Sequence, residues 1–394
     1  LSHALVLNHD RFFFALKASA FDTVGVTPSA RALGMGNAYI GVVDDIDAMF
    51  YNPASLAKVH GIQLDLLSVG GAGKNFDDYK TIKDLADSGA NLATAIPPLY
   101  GKDFYYGGQA RTGIALPMFG LIAYDAVNAS LSVHNPPYTQ VDLNATNDYA
   151  YALGFGVPIS PFLQIGAEGR YIKRTGTDYT YSGGTLGSLS SNQIKSDALA
   201  WGTGYEFDLG ANLIVPTPIF TFDFSVVWQN IGTTTFKQAA SNHVPSTPAN
   251  LMAGVAGELR LPLITIRPAV DMRYISDESI QLFRKFNFGV EISLPLIDIR
   301  GGFSEGYYTY GAGASFGPIR VDAASYAVEL GDYPGQKEDR RYMAQLTLEL
   351  DIGWFGVDGS SSDSGSGSRG GSSSSGGSSS SSFWGGSGRL KERR

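Results

Sequence analysis

From residue 58 to residue 355 apolar and polar side chains alternate with a period of two, and this pattern limits what the chain can become more than any other feature. In "FTFDFSVVWQ" (220–229), Phe220, Phe222, Phe224, Val226 and Trp228 point one way, and Thr221, Asp223, Ser225 and Gln229 the other. The same rhythm places Ile264, Ile266, Pro268, Val270, Met272 and Tyr274 opposite Arg267, Asp271 and Arg273. It places Phe286, Phe288, Val290, Ile292 and Leu294 opposite Lys285, Asn287, Glu291 and Ser293, and Tyr342, Ala344, Leu346, Leu348, Leu350 and Ile352 opposite Gln345, Thr347, Glu349 and Asp351. Each segment therefore has one apolar and one wet face. The chain is 43% hydrophobic, yet no uninterrupted apolar run reaches the length of a spanning helix.

A soluble sandwich would alternate too, so connection lengths must discriminate. About fourteen strand-like segments can be counted at the usual membrane-strand length. They lie near 58–73, 105–116, 119–133, 148–157, 162–175, 203–215, 219–230, 249–258, 263–275, 282–293, 296–304, 307–316, 319–330 and 341–353. Every second junction is tight and carries proline: Pro117, Pro158 and Pro161, Pro216 and Pro218, Pro262, Pro295, Pro318. The intervening junctions are mostly long, notably 74–104, 134–147, 176–202, 231–248 and 331–340. Short turns on one side and long loops on the other, around an even strand count, predict an all-β fold: a 14-stranded antiparallel transmembrane β-barrel, with the long loops outside the cell. In a bilayer such a sheet must close, because lipid cannot satisfy an open edge.

The barrel then sorts its charges inward. Glu168, Arg170, Glu206, Asp208, Asp223, Arg267, Asp271, Arg273, Glu291, Asp298, Arg300, Arg320, Asp322, Glu349 and Asp351 are expected to form a mixed-sign lumen network rather than a catalytic set. Trp354 and Phe355 close the last strand, as in the C-terminal signal of barrel-assembly clients. "NFDDYKTIKDLADS" in 74–104 has helical spacing and predicts a short amphipathic helix in the first outer loop.

Four units follow. Residues 1–20 read as a signal peptide ending in Ala18-Ser19-Ala20, or as an N-terminal tail. Residues 58–355 are the barrel, and 356–394 a disordered Gly/Ser-rich periplasmic tail. Residues 21–57 precede the first strand without alternating, and their place is the lumen: Ala30, Ala32, Gly34, Gly36, Ala38 and Gly41 allow close packing, and Asn52-Pro53-Ala54 makes the turn into the first strand.

That stretch, "ARALGMGNAYIGVVDDIDAMFYNPASLA", resembles the N-terminal hatch of the long-chain fatty acid transporter (FadL) family, and is closest in wording to its PorV-like branch. The resemblance implies a monomeric channel in the outer membrane of a Gram-negative bacterium that passively takes up hydrophobic molecules such as long-chain fatty acids. Asn52, Pro53 and Ala54 would be the hatch motif, Gly34 and Gly36 part of the hatch, and Phe21 its mobile N-terminus. The PorV-like branch implies an alternative: a barrel that binds or anchors protein cargo of a secretion system through its outer loops; apart from the resemblance, the Phe383-Trp384 pair and the basic end of the C-terminal tail offer a second docking place.

Sharper chemical motifs fail on context. Gly34-x-Gly36 lacks the strand and helix that a dinucleotide turn needs. Gly313-Ala314-Ser315-Phe316-Gly317 spells a nucleophile elbow, but a second strand follows it instead of a helix. The five histidines show no paired spacing and there is no cysteine, so neither a metal site, a cofactor nor an enzyme is expected. Asp44, Asp45 and Asp47 are expected to satisfy hatch and wall donors rather than a cation. A net charge of −8 argues against nucleic acid.

Overall fold

The structure is a computed structural model that describes residues 28–74, 97–182, 199–238 and 244–353. The expected loop helix, Phe21, the 1–20 segment, Trp354, Phe355 and the Gly/Ser tail lie outside the described residues. Fourteen strands form the wall: β1 Ile62–Gly73, β2 Asp103–Leu116, β3 Phe119–His134, β4 Gln140–Pro158, β5 Leu163–Ser182, β6 Trp201–Pro216 and β7 Thr221–Gln229. They continue with β8 Asn250–Arg260, β9 Thr265–Met272, β10 Phe286–Ser293, β11 Ile297–Ser304, β12 Tyr307–Phe316, β13 Ile319–Glu329 and β14 Glu338–Ile352. Each pairs antiparallel with its neighbours, and β1 meets β14 from Ile62↔Ile352 to Gly73↔Tyr342. That last pairing removes both edges, which is what lets a sheet sit in lipid. None of the described helices is long and apolar enough to cross a membrane.

Side chains sort as the alternation requires. On β14, Tyr342, Ala344, Leu346, Leu348, Leu350 and Ile352 face out, while Arg341, Met343, Gln345 and Thr347 are buried inside. From Tyr342 to Ile352, at roughly 3.4 Å per residue and a tilt of about 40°, the apolar band is about 26 Å tall. Exposed Tyr106, Tyr149, Tyr205, Trp228, Tyr308 and Tyr342 mark its outer rim. Just beyond, Asp125 and Lys173 face outward on either side of Tyr149, and Lys173 lies 5.0 Å over the Trp201 ring. Placing an arginine in mid-band, as in Leu346→Arg, is expected to cost about 2–4 kcal/mol. Urea folding midpoints in lipid vesicles would read this, with Thr347→Ser, one position on and facing inward, as the control.

The structure departs from the sequence expectation at particular places. The junctions 134–147 and 176–202 are shorter than expected, because β3, β4 and β5 run on past the outer rim, leaving Pro136–Tyr138 as a single 3-10 turn between β3 and β4. Out there both faces meet water, so alternation gives no signal. One outer junction is only Glu305-Gly306, both with positive φ (53° and 96°), so long and short connections do not alternate strictly. At Leu66 and Leu67 the β1 register slips and both side chains face out, a β-bulge. Residues 282–285 form a 3-10 turn before β10. Tyr274 leaves the outward set: the chain turns there at φ 53° and buries the ring.

Candidate functional site: the segment inside the barrel

Residues 28–61 are bonded to strands all around the ring, which places them in the lumen. Ala30 N donates to Gln345 on β14 (3.1 Å), Thr309 on β12 donates to Gly34 O (3.2 Å), and Tyr39 N and Ile40 N both donate to Asp271 on β9 (2.6 and 3.0 Å). On the other side, Gln229 of β7 donates to Phe50 O (2.7 Å), Arg170 of β5 to Met49 O (3.3 Å), and Met118 N in the β2–β3 turn to Leu56 O (3.1 Å). The segment contains two short helices, α1 Ala30–Gly34 and α2 Ala48–Tyr51, and a 3-10 helix Pro53–Lys58. One or two turns each is too little for autonomous helix stability, so packing against the wall must hold them.

Close approach needs the glycines on both surfaces. A Cβ on Gly36, itself at φ +63°, would stand 2.7 Å from Phe288 O, and a Cβ on Gly34 2.9 Å from Gly311 Cα. From the wall side, a Cβ on Gly166 would meet Ala54 N and Pro53 C at 2.3 Å. Here the backbone of Asn52-Pro53-Ala54 rests directly on the sheet.

Asn52 is fully buried and uses its whole amide: Nδ2 donates to Ile40 O (2.9 Å) and to Asn212 on β6 (2.6 Å), while Oδ1 accepts from Ala54 N (3.1 Å). Pro53 opens the 3-10 helix where its missing N–H costs nothing. Lys58 pairs with Asp223 at the same level. Asn52→Ala would leave buried partners unsatisfied and is expected to destabilise by about 1–3 kcal/mol, read as a lower urea midpoint.

Charges hold the opposite side. Arg31 donates twice to Glu291 on β10 (2.7 and 2.8 Å) and once each to Asp44 (3.0 Å) and Asp45 (2.9 Å). Glu291 also accepts from Arg267 (3.0 Å) and Arg300 (2.8 Å), and Arg300 continues to Asp322 (2.7 Å) and Asp298 (3.2 Å). A second cluster joins Arg170 to Glu168 (2.7 Å), Glu206 (2.9 Å) and Asp208 (3.4 Å). Asp47 meets Arg111 of β2 at 2.5 Å. Burial pushes Asp45 up to about 6, with the Asp47 charge acting the same way and Arg31 against it.

Of the charges expected inside, most are buried there; Arg170, Arg320 and Glu349 are partly buried and Asp351 is exposed at the end of β14. Arg273 is buried and reaches Asn37 O at 3.5 Å. The residues the sequence reading passed over are Arg31, Arg111 and Asn212. Arg31 was detectable as the only cation in a Gly/Ala-rich run bound for an acidic lumen. Arg111 and Asn212 stand at inward positions of their strands but carry no motif.

The inner wall itself is divided. Along β3, β4 and β5 an apolar cluster of Ile122, Tyr124, Ala126, Ala150, Ala152 and Ile172 packs with Met49, Phe50 and Leu56, with Phe236 and Val244 in the same cluster, and is flanked by the buried Arg170–Glu168 and Arg174–Asp148 ion pairs. Along β9 to β13 the wall is charged.

These features define a closed transmembrane β-barrel whose lumen holds its own N-terminal segment. No protein-family profile and no curated protein sequence matches the chain. Among solved structures it is similar to the Pseudomonas putida toluene transporter TodX, at 12% identity over 84% of this chain and 98% of that one, with a TM-score of 0.45. It is similar to the CymD monoaromatic hydrocarbon channel (13%, 85% and 99%, 0.48) and to the Ralstonia pickettii toluene transporter TbuX (13%, 85% and 99%, 0.44). These neighbours are FadL-family channels for hydrophobic compounds.

Proposed function

We propose that the protein is an outer-membrane channel of a Gram-negative bacterium for passive uptake of hydrophobic molecules, with residues 28–61 as a hatch that must shift for passage. The observation that carries this reading is the buried apolar cluster between the inner face of β3–β5 and Met49, Phe50 and Leu56 of the inner segment, which also takes in Phe236 and Val244. A lumen that served only water and ions would have no use for such a cluster, whereas an apolar solute gains contact with it once the inner segment shifts. Fatty acids and aromatic hydrocarbons are the cargo classes to try.

A second reading, a barrel that anchors a protein partner, draws on the tightness of the packing. Two cavities bordering the segment measure about 10 and 90 Å³, against the roughly 300 Å³ or more of an ordinary ligand pocket. Native mass spectrometry with lipid extraction, comparing the intact protein with Asn52→Ala, separates the two. A co-purifying apolar molecule whose occupancy changes in Asn52→Ala supports uptake. An empty barrel carrying a stoichiometric protein supports anchoring.

A further inference from the structure

Six short turns close the end of the barrel opposite the outer loops: Pro117-Met118, 159–162, 217–220, 261–264, 294–296 and Gly317-Pro318. Each contains a proline and none contains a charged residue. Connections at the other end carry charge freely, as in Asp277-Glu278, Arg284-Lys285 and Asp332. The short turns instead present large apolar side chains to the outside: Ile219 and Leu263 are each 71% exposed, and Met118, Ile159, Phe162 and Leu296 are exposed as well. An exposed apolar surface of this extent marks a contact.

The register sets these turns level with lipid-facing residues of the neighbouring strands. Pro318 O accepts from Glu349 N on β14 (2.7 Å), and the exposed Leu350 and Ile352 lie farther toward the same end. Met118 O accepts from Gly156 N on β4 (3.1 Å), with Val157 and Ile159 beyond it, and Phe162 O accepts from Ile214 N on β6 (2.7 Å), with Val215 beyond. Main-chain polarity in the turns is met from within. Proline removes one donor from each, Thr217 N donates to Phe220 O (2.8 Å), Leu261 N to Ile264 O (2.8 Å) and Leu294 N to Ile297 O (2.9 Å). The two hydroxyls fold back on their own turns: Ser160 Oγ accepts from Leu163 N (3.0 Å), and Thr217 Oγ1 donates to Phe220 O (2.6 Å). Lipid demands such pairing and water does not.

We infer that this collar of turns is an interaction surface for the bilayer, inserted into the boundary between acyl chains and headgroups of the leaflet at that end instead of standing in water. Its occupant is lipid because the collar continues the lipid-facing band of the strands without a charged break and recurs at all six turns around the ring. A protein partner would mark one arc of the ring. Elements with an apolar face settle about 5–10 Å into that boundary. The lumen therefore opens among headgroups at this end, whereas β3, β4 and β5 run on past the rim at the other. The inference does not depend on what the channel carries.

The chain contains no cysteine, so single-cysteine variants each report one place. Ile219→Cys, Leu263→Cys and Leu296→Cys would be reconstituted into vesicles, with Leu346→Cys in mid-band and the exposed Glu278→Cys in an outer connection as references. Each would meet a charged thiol reagent on both sides of the bilayer and, labelled with a fluorophore before reconstitution, lipid brominated on its acyl chains. Unchanged heat-modifiable gel migration would show that each variant barrel is folded. The expected result is reaction roughly tenfold or more slower than in Glu278→Cys, with fluorescence quenched by the brominated lipid as in Leu346→Cys. Reaction as fast as in Glu278→Cys would place the turns in water and overturn the inference. Protection without quenching would mean that a second copy covers them, and overturns it equally.

Discussion

Glu291→Ala is expected to release the inner segment from the charged half of the wall. Glu291 is 1% exposed and is the shared partner of Arg31, Arg267 and Arg300. Removing it leaves three guanidiniums crowded in a space organised around one carboxylate, and breaking a buried ion pair from one side typically costs about 3–5 kcal/mol. The least restrained of the three is Arg31, because it sits on a five-residue helix instead of a paired strand. In the native protein Arg31 is 4% exposed and beyond the reach of a protease. In Glu291→Ala, trypsin should cut after Arg31 while the barrel stays folded, giving a new N-terminus at Ala32 by mass spectrometry. Continued protection of Arg31 would mean that the segment's remaining contacts hold it without Glu291.

The second large effect comes from volume instead of charge. At Gly166 any side chain meets backbone, Ala54 N and Pro53 C at 2.3 Å, and backbone cannot turn aside as a flexible side chain can. Gly166→Val should leave the wall intact, since Gly166 pairs with Gly156 and Gly210 through main-chain bonds that valine also makes. The Asn52-Pro53-Ala54 turn must then leave the sheet, at an overpacking cost of about 1–3 kcal/mol or more. A barrel of this strand number without its internal segment is wide enough for water. Planar bilayer recordings should therefore show little current for the wild type and steady conductance for Gly166→Val. Equal currents would place the seal elsewhere.

The architecture was legible in the sequence wherever one face meets lipid and the other does not. That condition makes the alternation strict, and the expected segments fall within about three residues of β7, β9 and β14, while the one expected at 282–293 overran the start of β10. Legibility ended where the condition ends: in the extensions of β3, β4 and β5 beyond the outer rim, and at the Leu66-Leu67 bulge, where two neighbours share a face. For the inner segment, small residues and the Asn52 turn identified a close-packed piece, but the partners could not be read. Asp271 receiving two backbone amides of Tyr39 and Ile40, or Arg31 reaching Glu291 across 260 positions, depends on how the ring closes. The Asp44, Asp45 and Asp47 run illustrates the same limit: the sequence showed three acids that needed donors, and the structure supplies Arg31 and Arg111.

Uptake itself is the most direct measurement. The purified barrel would be reconstituted into vesicles and the entry of labelled fatty acid and labelled toluene followed against protein-free vesicles. A channel with a movable hatch predicts saturable, protein-dependent entry of at least one of these that rises in Gly166→Val. Entry no faster than through bare lipid, in both the wild type and Gly166→Val, would contradict it.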